Sequence, residues 1–197
     1  MYKLKHTKGY SLVEALVAVS ILMLSIVGPM TIAAKGIQTG RFVNQQATAV
    51  YLAQEGIESV AAVRNQEALK EFGDEKAWDW AEPSGVLSAC QNVNGCNIEW
   101  DNSSDAETTN YDVASCNNGA SNPCILYKSS DSNYRSQYTS SRASGNTPSI
   151  YTRVIKITDS GTDREVQVTS SVSWNANIFG GTRTVVLTSY LYNLYAD

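Results

Sequence analysis

The chain has 197 residues, with 15 Lys and Arg against 19 Asp and Glu for a formal net charge of −4. That length holds one globular domain plus a further segment, and the acidic balance argues against a general nucleic-acid binder. The only histidine is His6, so the rest of the chain can form no histidine-based triad, general base or metal ligand. With no Gly-rich phosphate loop or dinucleotide fingerprint either, the chain reads as non-enzymatic and without a cofactor.

Residues 1–9 carry Lys3, Lys5 and Lys8, and residues 15–34 then run for 20 positions without a charge. A helix of that length spans about 30 Å, the thickness of a bilayer's hydrocarbon core. The preceding lysines place the N-terminus in the cytoplasm and the remainder outside the inner membrane. Glu14 stands at the mouth of the apolar run, five residues after Gly9. A charge at the centre of a membrane helix costs on the order of 3 kcal/mol, so an acid here marks a functional site. An ordinary secretory signal needs an unbroken apolar region and a small-x-small cleavage site. Glu14 interrupts the first, and Ile32-Ala33-Ala34 serves poorly as the second. A plain uncleaved anchor accounts for the length but not for Gly9 or Glu14.

The basic leader, Gly9 followed by the aromatic Tyr10, and Glu14 five residues after Gly9 resemble a type IV prepilin signal. Ser11-Leu12-Val13-Glu14-Ala15-Leu16-Val17-Ala18 and Tyr51-Leu52-Ala53-Gln54-Glu55-Gly56-Ile57-Glu58 are similar to minor pilins of the PilV kind and to I-type minor pseudopilins of type II secretion. The resemblance is specific over residues 8–35, reaches to about residue 65 and is weak beyond. It implies cleavage between Gly9 and Tyr10 by a prepilin peptidase and N-methylation of Tyr10, where Tyr replaces the family's usual Phe or Met. It also implies an assembly role for Glu14. Losing residues 1–9 removes three lysines and shifts the formal charge from −4 to −7.

Residues 10–34 therefore read as a transmembrane and assembly helix, continued by an amphipathic helix over residues 35–72. Val43, Ala47, Val50, Ile57 and Val60 or Ala61 recur at helical spacing. Gly28-Pro29 interrupts the membrane part, where Pro removes a backbone donor and favours a kink or a meltable turn.

Residues 73–149 read as a polar insert, with loops over residues 102–146 and a short hairpin suggested around Asn94-Gly95. It contains all four cysteines, Cys90, Cys96, Cys116 and Cys124. Outside the inner membrane these favour disulfides, and the sequential pairs Cys90–Cys96 and Cys116–Cys124 close the shortest loops. Their spacing does not suit a zinc module. Asp101, Asp105, Glu107 and Asp112 offer oxygen ligands for calcium, but at no EF-hand spacing. A solvated loop explains them more simply. Lys128, Arg135, Arg142, Arg153 and Lys156 interleave with Tyr127, Tyr134, Tyr138 and Tyr151, a composition suited to DNA contact. The alternative is an ordinary solvated patch, or one folded against the acids of residues 99–112.

Residues 150–197 read as an antiparallel sheet of about three or more strands, over residues 150–158, 164–174 and 182–192. Its apolar face needs the amphipathic helix as cover, giving an α+β, pilin-like fold. The expected function is a minor pilin or minor pseudopilin. Its partners would be prepilin peptidase, other pilin subunits and inner-membrane lipid. The rival is a membrane-anchored adhesin or DNA-uptake receptor displayed on such a filament.

Overall fold

The computed structural model describes residues 9, 11–70, 85–100, 111–117, 119, 121–130, 137–142, 144–162, 165–176 and 180–192. Helix α1, Leu12–Lys70, accounts for 59 residues and stays helical through Pro29. It crosses two compact units, Met1–Asn44 and Gln45–Asp197.

In the first unit the side chains of α1 are almost all exposed, including Leu12, Val13, Leu16, Ile21, Leu24, Ile26 and Ile32. This is the one described helix long and apolar enough to cross a membrane, and it lies near the N-terminus. Three hydroxyls turn back onto the helix, Ser20 Oγ to Leu16 O, Ser25 Oγ to Leu22 O and Thr31 Oγ1 to Gly28 O. They are thereby satisfied without water, as a lipid environment requires.

The second unit is α+β. A single-turn helix α2, Ser88–Gln91, precedes strands β1 (Cys96–Trp100), β2 (Tyr111–Ser115), β3 (Ile125–Lys128), β4 (Tyr138–Thr139), β5 (Thr147–Thr162), β6 (Glu165–Asn175) and β7 (Thr182–Tyr192). All seven join one antiparallel sheet. β5, β6 and β7 pair in chain order as the expected meander. The other edge of β5 is shared, with β3 along its start and β1 at Ile155. β2 pairs with β1, and β4 with β3.

Two sequence expectations are corrected. Three strands, β2, β3 and β4, come from residues 102–146, expected to be loops. These strands are two to five residues long, too short for alternation to stand out against polar surroundings. Asn94-Gly95 joins α2 to β1 rather than closing a hairpin. Gly95 has φ +72°, and a Cβ there would lie 2.6 Å from the Ile155 carbonyl oxygen, so only glycine lets this turn reach β5.

The buried face of α1 matches the expected one in part: Val60 is buried and Ile57 and Ala61 pack against the core. Val43 is 57% exposed, and Ala47 is exposed. The residues turned inward are Ala49, Leu52, Ala53, Gly56, Val60 and Val63. Small side chains occupy half of that stripe because the helix lies close against the sheet. A Cβ on Gly56 would come 2.5 Å from Ser170 Oγ. Beyond this contact, Val60, Val63, Leu87, Ile98, Ile155, Ile157, Val166, Val168 and Leu191 form the core with Cys90 and Cys96. β6 supplies its share by strict alternation, burying Val166, Val168, Ser170, Val172 and Trp174.

This contact generates a stability prediction. Gly56→Ala should destabilise the fold by about 1–3 kcal/mol through overpacking. Ser170→Ala should be near neutral or stabilising, since its buried hydroxyl has no partner among the described residues. The Gly56→Ala/Ser170→Ala double variant should recover most of the loss, read as coupling in urea unfolding of the four proteins.

Candidate functional site

Two features of the second unit hold unusual chemistry, a buried cation and the cleft beside it. The cation is Arg153, 4% exposed on the inward parity of β5 with Tyr151, Ile155 and Ile157. An unpaired guanidinium in such a place would be strongly destabilising. Here Nε donates to Asn97 Oδ1 at 2.9 Å, Nη2 to the Ile98 carbonyl at 3.0 Å and Nη1 to the Leu52 carbonyl at 3.4 Å. Nη1 also forms an ion pair with Glu55 Oε2 at 3.2 Å. Burial pulls the guanidinium's pKa down, and the carboxylates of Glu55 and Glu99 oppose that shift. Arg153 thus ties α1 to β1 and β5 in one network.

The disulfides brace the same region. Cys90–Cys96 links α2 to β1 with a Cα separation of 4.5 Å. Cys116–Cys124 spans 5.5 Å between Cα atoms. No cysteine remains free, so no thiol is left for a zinc site. The second loop meets the network directly. Asn97 Nδ2 donates to the Pro123 carbonyl at 3.2 Å, and the Arg153 amide donates to the Cys124 carbonyl at 2.8 Å.

Between α1 and the short strands lies a cleft of about 290 Å³, lined by Glu55, Glu58, Glu99, Trp100, Tyr111 and Tyr138 among others, with Arg153 also on its wall. Trp100 and Tyr111 meet edge to face at 5.0 Å between ring centroids. Tyr138 stands edge to face with Tyr151 at 5.7 Å. Glu99 is held by Thr139 Oγ1, Ser140 Oγ and the Ser140 amide, which fastens β4 to the end of β1.

The remaining residues singled out in the sequence are dispersed. Gly9 is exposed, and Tyr10 and residues 1–8 lie outside the described residues. Glu14 sits in the first turn of α1. It is exposed in the isolated chain and has no hydrogen-bond or ion-pair partner among the described residues. Of the calcium candidates, Asp101, Asp105 and Glu107 lie outside the described residues, and Asp112 is exposed on β2.

The basic-aromatic set is broken up. Arg153 and Tyr151 are buried, with Tyr151 Oη donating to the Gln45 carbonyl at 3.1 Å. Neither is available to DNA, because strand alternation turns both into the core. Lys128, Arg142 and Lys156 stay exposed, with the Arg142 guanidinium 5.5 Å above the Tyr127 ring. Tyr134 and Arg135 lie outside the described residues.

Compared with models of protein families, with curated proteins and with solved structures, the chain finds no match.

Arg153 is open to a direct test. Arg153→Ala should lower stability by about 2 kcal/mol or more, since Asn97 Oδ1 and the Ile98 carbonyl lose this donor at about 1–3 kcal/mol each, while the Leu52 carbonyl keeps its place in the helical ladder. The ion pair itself contributes less, because Glu55 is 35% exposed and water screens it. Arg153→Lys should recover less than half of the loss, as one ammonium cannot reproduce the planar fork. Urea unfolding of the full chain in detergent reads both.

Proposed function

We propose that the chain is a minor pilin or minor pseudopilin, a structural subunit stored in the inner membrane and drawn into a type IV pilus-like filament. The observation that carries the reading is Glu14, in the first turn of a helix whose next 20 residues are uncharged and exposed. An apolar surface of that extent calls for lipid or for other subunits. Glu14 calls for a cation, which nothing among the described residues provides.

In the proposed filament, prepilin peptidase cuts after Gly9 and frees the amine of Tyr10. Glu14 then pairs with that amine on its own chain or a neighbouring one. At low dielectric the pair sets subunit register, since a one-sided break leaves a buried charge at a cost of about 3–5 kcal/mol. Gly28-Pro29 supplies a point where the helix unwinds at low cost during packing, because Pro29 gives no amide to the ladder. The disulfides suit a head outside the cytoplasm. The DNA-uptake reading is weakened by the loss of Arg153 and Tyr151 to the core.

Glu14→Ala should leave membrane insertion intact, since removing a charge favours lipid. Incorporation into sheared filaments should fall by an order of magnitude or more, because the Tyr10 amine is left unpaired. Blotting sheared and membrane fractions for the subunit checks both outcomes. Normal incorporation of the variant would refute the pairing.

A further inference from the structure

The cleft beside Arg153 combines aromatic rings with excess negative charge. Its walls bring three carboxylates, Glu55, Glu58 and Glu99, against one guanidinium, leaving two net negative charges. The guanidinium does not neutralise the opening. Its nitrogens are engaged by Asn97, Leu52, Ile98 and Glu55. Glu99 is engaged by Thr139 and Ser140. Glu58 is exposed and has no hydrogen-bond or ion-pair partner among the described residues. Trp100, Tyr111 and Tyr138 line the same cleft.

We propose that this cleft receives a basic side chain, Arg or Lys, from a partner protein. Ring faces attract cations through their quadrupole, by about 0.5–1 kcal/mol at exposed sites, and Glu58 adds a carboxylate at the mouth. A bare metal ion is a poorer fit. Glu55 and Glu99 already have partners, and no group of three His, Cys, Asp or Glu placed to hold a metal occurs among the described residues. One long, flexible cationic side chain fits within this space of about 290 Å³, with its stem against the aromatic residues and its head at Glu58. The inference does not depend on the filament reading, since it needs only the second unit's geometry.

The test uses the full chain in detergent micelles, labelled with 5-fluorotryptophan and followed by fluorine NMR. The chain has four tryptophans, and Trp100→Phe and Trp174→Phe assign two of the signals. The probes are blocked tripeptides Gly-Arg-Gly and Gly-Lys-Gly, with Gly-citrulline-Gly as the uncharged control. The Trp100 signal should move saturably with the Arg and Lys peptides and stay fixed with citrulline. Glu58→Gln should weaken binding by about two- to fivefold, the scale of one exposed ion pair. Added salt should weaken it further. An unmoved Trp174 signal in Glu58→Gln certifies the fold. An absent or unsaturable shift, an equal response to citrulline, or unchanged binding by Glu58→Gln would overturn the proposal. Displacement by tetramethylammonium at lower concentration than by the Arg peptide would also overturn it, in favour of a free organic cation.

Discussion

A guanidinium buried in an apolar interior must have its donors satisfied, and the second unit is organised around that requirement. Arg153 reaches Leu52 and Glu55 on α1 and Asn97 and Ile98 on β1 from its place on β5. These groups must meet within hydrogen-bonding distance, which fixes the helix against the sheet to within a fraction of an ångström. Gly56 on α1 and Gly95 before β1 are where the backbone has to come that close. The two disulfides hold the segments that carry the remaining acceptors. Packed apolar residues often match a buried ion pair in stability, so the effect of this node is geometric: it holds α1, β1 and β5 at defined contacts.

The chain thus contains two charges whose surroundings must answer them, and they are answered differently. Arg153 finds its partners within its own fold. Glu14 has none among the described residues and heads an exposed apolar helix. Where nothing among the described residues answers such a charge, the proposed reading looks to another molecule. In the proposed filament that molecule is a neighbouring subunit or the new N-terminus, and assembly depends on the pairing. Glu58 poses the same question on a smaller scale at the edge of the aromatic cleft.

The helix and the meander were legible in the sequence because their signals are long. α1 carries an uncharged stretch and then a helical period, and β6 alternates over 11 residues. The short strands β2 to β4 were not legible, since two to five residues cannot establish a period and their pairing depends on partners far along the chain. Of the expected stripe of α1, Val60 is buried and Ile57 and Ala61 pack against the core, while Val43 and Ala47 stay exposed. Where a helix lies this close to a sheet, Ala49, Ala53 and Gly56 mark the inward face better than Val43. Arg153 was taken for surface charge because of its type. Its position on the parity of Tyr151, Ile155 and Ile157 was the available signal. The cleft could not be read at all, since its residues come from α1, four strands and the residue after β4.

The proposed pilin reading requires processing at the Gly9–Tyr10 junction, so the most direct measurement is made there. The full chain is co-expressed with a prepilin peptidase, and its intact mass and N-terminal sequence are determined. The account predicts loss of residues 1–9 and a new N-terminus at Tyr10. An unchanged N-terminus, or a cut near Ala34, would contradict it.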